Sequence, residues 1–163
     1  MTFIEAYHVG FTVADLEATM TEFEQLLGVR WAAPQQRDLS VRTRKGDLQA
    51  RFRFTYSTPA SGPALIELIE GPAGSPWDPG DEAARFHHVG FWDDELAATV
   101  ARLDTAGASF DAGMVDDDDA PIGFAYHQLT HGPRIELVDA ARRSNFHAWL
   151  AGGSFPQADE SDR

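Results

Sequence analysis

Two short strings occur twice in this chain, and that repetition limits what it can fold into. HVGF at His8–Phe11 returns at His88–Phe91, a shift of 80 residues, and IELIE at Ile66–Glu70 returns as IELVD at Ile135–Asp139, a shift of 69. Each copy brings one histidine near its start and one glutamate near its end, inside short apolar runs that read as strands. A period near 80 residues is too long for a solenoid and implies a duplicated half-domain. Two histidines and two carboxylates from matched positions form a candidate metal site.

The residues around the repeats order the rest. Phe3–Val13 reads as a strand, Asp15 as the N-cap of a helix, and Leu16, Met20, Phe23 and Leu27 as one helical face that ends at a left-handed Gly28. The second copy repeats this: Phe86–Trp92 is a strand, Leu96, Val100 and Leu103 share a helical face, and Gly107 closes it. Gln49–Tyr56 alternates, with Phe52, Phe54 and Tyr56 on one side and Arg51, Arg53 and Thr55 on the other, the mark of a strand covered on one face. Ser57–Ala64 and Thr130–Pro133 are the turns before the two glutamate strands. The expected organisation is α+β: two βαβββ modules over about 1–72 and 85–141, joined by the Gly- and Pro-rich stretch Gly71–Arg85. A short C-terminal helix completes a single domain over 1–151, and a flexible tail covers 152–163.

Alternation also assigns faces. His8 shares its side with Ala6, Gly10 and Thr12, while Tyr7, Val9, Phe11 and Val13 are expected to pack under the helix. The same split places His88 beside Gly90 on the concave side and leaves His87 on the helix side as a structural residue. Gly10 and Gly90 are expected to clear space for substrate or water near the ion. Glu67 and Glu136 oppose their flanking Ile and Leu residues across the strand, and a carboxylate enclosed in this way is costly unless a cation offsets its desolvation. Two neutral imidazoles and two carboxylates balance a 2+ charge and leave about two positions open on an octahedral ion, which suits Zn, Ni, Co, Mn or Fe.

Charge and composition exclude several functions. With a formal net charge of −13 the surface repels nucleic acid and anionic membrane, so the expected partner is a small-molecule substrate. No cysteine is present, which removes disulfides, thiolate nucleophiles and Cys-ligated zinc. The start of the chain lacks a basic segment followed by an apolar one, and no run approaches the ~18 apolar residues of a spanning helix. A soluble cytoplasmic protein is expected. No nucleophile elbow, phosphate loop or dinucleotide glycine pattern occurs. The Asp116–Asp119 run lacks the Gly and terminal Glu of a calcium loop and reads as a solvated turn, as does His131 beside Gly132 and Pro133. Trp31, Trp77, Trp92 and Trp149 are too scattered to suggest a shared platform. Arg51 and Arg53, with Arg42 and Arg44 one strand earlier, are candidates for clamping a substrate carboxylate or phosphate, the alternative being solvated edge-strand charges. Tyr126 is a candidate pocket residue.

The paired HVGF, the string HVGFTVADLEATMTEFEQLLGV, the two IEL strands and THGPRIEL resemble the vicinal oxygen chelate superfamily of glyoxalase I, methylmalonyl-CoA epimerase, extradiol dioxygenases and bleomycin-resistance proteins, from about Phe3 to Asp139. The resemblance implies a curved, cup-like mixed sheet with helices outside and a homodimer. It also implies a divalent ion on the first and last strand of each module, which here means His8, Glu67, His88 and Glu136. A glutamate at position 67 favours the glyoxalase and epimerase branch over a two-His-one-Glu dioxygenase. Methylmalonyl-CoA epimerases carry an additional acidic base on a middle strand of the first module, where this chain has VRTRKGDLQARFRF. The expected activity is isomerisation, epimerisation or lyase chemistry by enolate stabilisation on a small oxygenated acid or acyl thioester, with Glu67 or Glu136 as base. The alternatives are a binding or resistance protein using the same cup without turnover, and an Fe(II) extradiol dioxygenase.

Overall fold

Both copies of the repeat fold alike. The computed structural model describes residues 5–62 and 64–156; Phe3 and Ile4 of the expected first strand, Pro63 of the first turn and 157–163 of the expected tail lie outside them. The first half runs β1 (Glu5–Val13), α1 (Leu16–Leu27), β2 (Gln35–Thr43), β3 (Gly46–Tyr56) and β4 (Leu65–Glu70). The second runs β5 (Ala84–Asp93), α2 (Leu96–Thr105), β6 (Ser109–Val115), β7 (Pro121–Gln128) and β8 (Arg134–Asp139), followed by a 3-10 turn at Ala140–Arg142 and α3 (Arg143–Leu150).

Within each half the histidine strand lies parallel to the glutamate strand, β1 on β4 and β5 on β8, because the helix carries the chain back to the same end of the sheet. The curved sheet expected from the sequence closes on itself in the order β1-β4-β3-β2-β6-β7-β8-β5. One seam is the long antiparallel pair β1–β5, and the other is only Arg42 with Gly113 and Thr43 with Ala112 between β2 and β6.

The helices cover the outside. Asp15 Oδ1 accepts from Ala18 N at 2.9 Å and Gly28 ends α1 at φ 69°, so both caps match the sequence pattern. Leu16 packs with Val13 and Leu68 outside the first module, while Leu96 and Val100 of α2 pack on Ala125 and Leu137 outside the second. Burying a side chain such as Leu16 contributes about 1.5–3 kcal/mol. Leu27, expected on the packed face, is 71% exposed. Only the first turns of α1 press on the sheet: Leu16 is buried, and Met20 and Phe23 are half-buried.

The joining stretch does more than connect. Asp78 accepts from the backbone nitrogens of Gly74 and Gly80, and the loop this holds sends Trp77, 1% exposed, into the largest core cluster. Trp77 stacks on Phe52 with ring centres 4.0 Å apart. The Asp116 turn is a self-capped loop, its Oδ1 accepting from Asp118 N and Ala120 N. Among the described residues no helix is long and apolar enough to cross a membrane.

Candidate metal centre

The long β1–β5 seam sets the site. His8 pairs with Gly90 and Gly10 with His88, so each histidine stands opposite the other module's glycine. A β carbon on Gly10 would fall 2.1 Å from His88 Cε1, and one on Gly90 would fall 1.8 Å from His8 Cε1. The glycines expected to clear a substrate path instead make room for the opposite imidazole rings. His8 Nε2 and His88 Nε2 are thereby brought to 2.7 Å.

The glutamate strands complete the group. Glu67 Oε2 lies 3.4 Å from His8 Nε2 and 3.2 Å from His88 Nε2, and Glu136 Oε2 lies 3.3 and 3.2 Å from the same atoms. All four side chains are buried, with His88 at 0% and each glutamate at 6% exposure. Neither Oε2 has a hydrogen-bond partner in good geometry. Donors about 2.1 Å from one dication stand roughly 3 Å apart when adjacent on an octahedron, the spacing found here. A cation between them would satisfy the two orphaned oxygens and separate two facing imidazole lone pairs, so the residues fit a divalent ion.

Electrostatics reflect the crowding. Burial pushes the Glu67 and Glu136 carboxyls up, but the His8 and His88 rings outweigh it and hold both below the usual carboxylate range. Burial likewise opposes charge on His88, yet Glu136 and then Glu67 raise it to about 9. Each carboxylate has a tyrosine directly across the neighbouring strand, Tyr56 opposite Glu67 and Tyr126 opposite Glu136. Burial and the carboxylate charges keep both phenols well above their normal pKa, so they remain protonated donors toward the site. Tyr126 Oη also accepts from Trp77 Nε1 at 3.2 Å.

Two β-bulges overturn the simple alternation. In β1 the register jumps between Ala6 and His8, and across β5 it jumps between Phe86 and His88, so Tyr7 and His87 are the extra residues of their strands. These positions correspond under the 80-residue repeat. Both were expected under the helices, and both turn inward. Tyr7 stacks on Trp92 at 4.1 Å inside the barrel. His87 Nδ1 lies 2.8 Å from His88 Nδ1, and its Nε2 lies 2.7 Å from Pro76 O and 2.5 Å from Arg134 Nη1. Burial, with His88 and Arg134 alongside, lowers His87 to about 3, so its ring is neutral. When His87 Nε2–H donates to Pro76 O, its Nδ1 accepts from His88 Nδ1–H, and His88 Nε2 is left as a lone pair aimed at the centre. Strand periodicity alone could not find this residue.

A cavity of about 110 Å³ opens against Glu67 and Glu136. Tyr126, expected to contact substrate, lines it, as do Tyr7, Tyr56, Trp77, Trp92 and Phe146. The tryptophans read as scattered therefore converge: Trp77 and Trp92 face the cavity and Trp149 packs behind Tyr56, while Trp31 stays beside α1 with its Nε1 donating to Met20 O. Arg51 and Arg53 do not reach it. They occupy the outer face of β3, where Arg51 pairs with Asp38 and Arg53 with Glu17, since the aromatic alternates of that strand take the inside. The expectation of a substrate clamp at these two positions is corrected accordingly. Arg37 and Arg142, which sequence reasoning did not single out, line the cavity instead. His127 is buried away from the cavity, its Nδ1 3.0 Å from Ala108 O, and is structural.

The family model described as Glyoxalase/Bleomycin resistance protein/Dioxygenase superfamily matches residues 7–126. Among solved structures the chain is similar to methylmalonyl-CoA epimerase from Mycobacterium tuberculosis, at 17% identity and TM-score 0.58 over 85% of this chain and 89% of that one. It is similar to a Streptomyces coelicolor methylmalonyl-CoA epimerase variant in complex with 2-nitronate-propionyl-CoA, at 16% identity and TM-score 0.58 over 86% and 99%. A hypothetical protein from Bacillus halodurans is similar at 14% identity and TM-score 0.59 over 85% and 95%. No curated protein sequence matches.

Proposed function

The chain belongs to the glyoxalase, bleomycin resistance protein and dioxygenase superfamily, and from that premise we propose that it is a divalent-metal enzyme that moves a proton next to a carbonyl, in an isomerisation, epimerisation or lyase reaction on a small oxygenated acid or acyl thioester. The observation that carries this reading is the group of four buried donors, two imidazole nitrogens and two orphaned carboxylate oxygens, held within 4.8 Å of one another.

His8, His88, Glu67 and Glu136 would hold the ion. A dication there supplies Lewis-acid stabilisation of the negative charge that develops on a substrate oxygen as the neighbouring carbon loses its proton. The chain's own residues do the rest. Glu67 and Glu136 are the carboxylates that line the cavity among its described residues, so one of them accepts the proton. The inward positions of β2 and β3 carry Arg37, Leu39, Val41, Ala50, Phe52, Phe54 and Tyr56, with no acid among them. Any reaction here therefore proceeds without a third carboxylate on the middle strands. Tyr56 and Tyr126 orient the two carboxylates, and the aromatic walls exclude water from the reacting atoms. All four donors come from one chain, so a homodimer is not required to build the site.

Elemental analysis of protein reconstituted with zinc, manganese, cobalt, nickel or iron tests the first half of the proposal; about one ion per chain is expected, and none bound would overturn it. Substrate-panel NMR in D2O tests the second half. Deuterium entering the carbon beside the carbonyl, and lost on Glu67→Gln or Glu136→Gln, supports turnover. Stoichiometric metal and ligand binding without exchange would leave sequestration as the function, and oxygen consumption with a catechol would mark a dioxygenase.

A further inference from the structure

The cavity is polar at both ends and apolar between them, and the strand register fixes the order. Glu67 pairs with Tyr56, Ile69 with Phe54 is the next inward level, and Phe52 pairs with Arg37 on the level beyond. In the second module Glu136 pairs with Tyr126, Val138 with Phe124 forms the next level, and Arg142 follows in the turn after β8. Two residues of strand advance roughly 6.6 Å, so both arginines arise two levels from the carboxylates, across one aromatic layer.

Arg37 is only 7% exposed, an unusual place for a guanidinium on the inner face of a strand. It is held by design: Nη1 donates to Gln36 O at 2.9 Å, Nη2 donates to Pro156 O at 3.1 Å, and its carbon lies 5.6 and 5.1 Å from the Phe54 and Phe155 ring centres. Arg142 reaches over β7 at Gly123, where a β carbon would stand 3.0 Å from its Nη2. Burial and then the Arg142 charge draw Arg37 below its usual pKa, which shows that the two cations feel one another.

We propose that Arg37 and Arg142 form an anion subsite, so that the substrate is a flat, apolar-bodied carboxylate whose vicinal oxygens face His8, His88, Glu67 and Glu136 while its carboxylate meets the two guanidiniums. The inference rests on the proposed function for the oxygen-binding end only. Two planar forks facing one cavity suit bidentate recognition of a carboxylate, and the rings between them suit an aryl body. The register leaves room for about one ring between the two ends, which selects for length as well as charge.

The test uses two probes that differ by one group, 2-hydroxyacetophenone and 4-(2-hydroxyacetyl)benzoate, titrated by calorimetry into zinc-loaded and zinc-free protein. The benzoate is expected to bind at least tenfold more tightly, about 1.4 kcal/mol. Arg142→Gln and Arg37→Lys should each bring the ratio close to one, without changing zinc stoichiometry or affinity for the neutral probe. Equal affinities in the unmutated protein, failure of both probes to bind, or a preference that survives in both variants overturns the subsite. The zinc stoichiometry then still decides the proposed function separately. If zinc does not bind but the benzoate preference is present and is lost in the variants, the arginine subsite stands and the metal reading falls. The comparison in unmutated protein does not depend on the variants folding, and circular dichroism checks those that are used.

Discussion

Gly90 faces His8 across the β1–β5 pair, and a β carbon placed on it would stand 1.8 Å from His8 Cε1. Gly10 holds the same relation to His88 at 2.1 Å. The HxG spacing in each module therefore describes the other module's ligand, and the two copies interlock at the centre.

Gly90→Ala should displace the His8 ring and Gly10→Ala the His88 ring. Each is expected to cost about 1–3 kcal/mol of stability through overpacking and to abolish stoichiometric metal. Chemical denaturation and metal analysis report the two effects; a variant that keeps one ion per chain would contradict the interlock.

Removing the ion should unmask the strain of the four facing donors. At a free zinc concentration 100 times the dissociation constant, stabilisation by about 2.7 kcal/mol is expected, seen as a rise in Tm that EDTA reverses. Glu136→Gln and His8→Ala should lose that rise. An unchanged Tm with zinc in the unmutated protein would refute a site that binds the folded state.

The pH dependence of the metal-free protein follows from His88. Its folded value of about 9 lies above the ordinary 6.5, so its contribution to stability is complete below pH 6.5 and disappears as pH rises through about 9. Metal must displace that proton, so zinc affinity should increase over the same interval, with roughly one proton released per ion. Calorimetry in buffers of different ionisation enthalpy measures the release. Affinity that is flat from pH 6.5 to 9 would count against protonated His88.

His87 supports a ligand without being one. His87→Ala should weaken metal binding about 10–100-fold, the usual loss when the partner that orients a ligand imidazole is removed. A competition titration against a chelator measures it. No change in affinity would make His87 a packing residue only.

Trp77 joins the loop between the modules to the cavity wall through its stack on Phe52 and its Nε1 hydrogen bond to Tyr126. Trp77→Ala is expected to destabilise by about 3–5 kcal/mol. Trp77→Phe should keep most of that stability and loosen only Tyr126. Urea denaturation separates the two, and equal losses in both variants would show that the hydrogen bond dominates.

The duplicated strings, the βαβββ order, the Asp15 and Gly28 caps and the placement of His8, Glu67, His88 and Glu136 on strands could all be read along the chain, since repeats, caps and alternation are local properties. Alternation failed at Tyr7 and His87 because a bulge adds one residue and turns the next side chain inward, a shift that is defined only against the partner strand. Arg51 and Arg53 share the spacing of a clamp, but nothing local says which side of β3 is the inside. The choice fell to Phe52, Phe54 and Tyr56, whose burial inside the closed sheet is worth more than that of charged alternates. Sequence by itself determined which residues could be ligands. Barrel closure, which sets distances between residues far apart in the chain, decided that they meet, that Trp77 and Trp92 join them, and that Arg37 and Arg142 share their cavity.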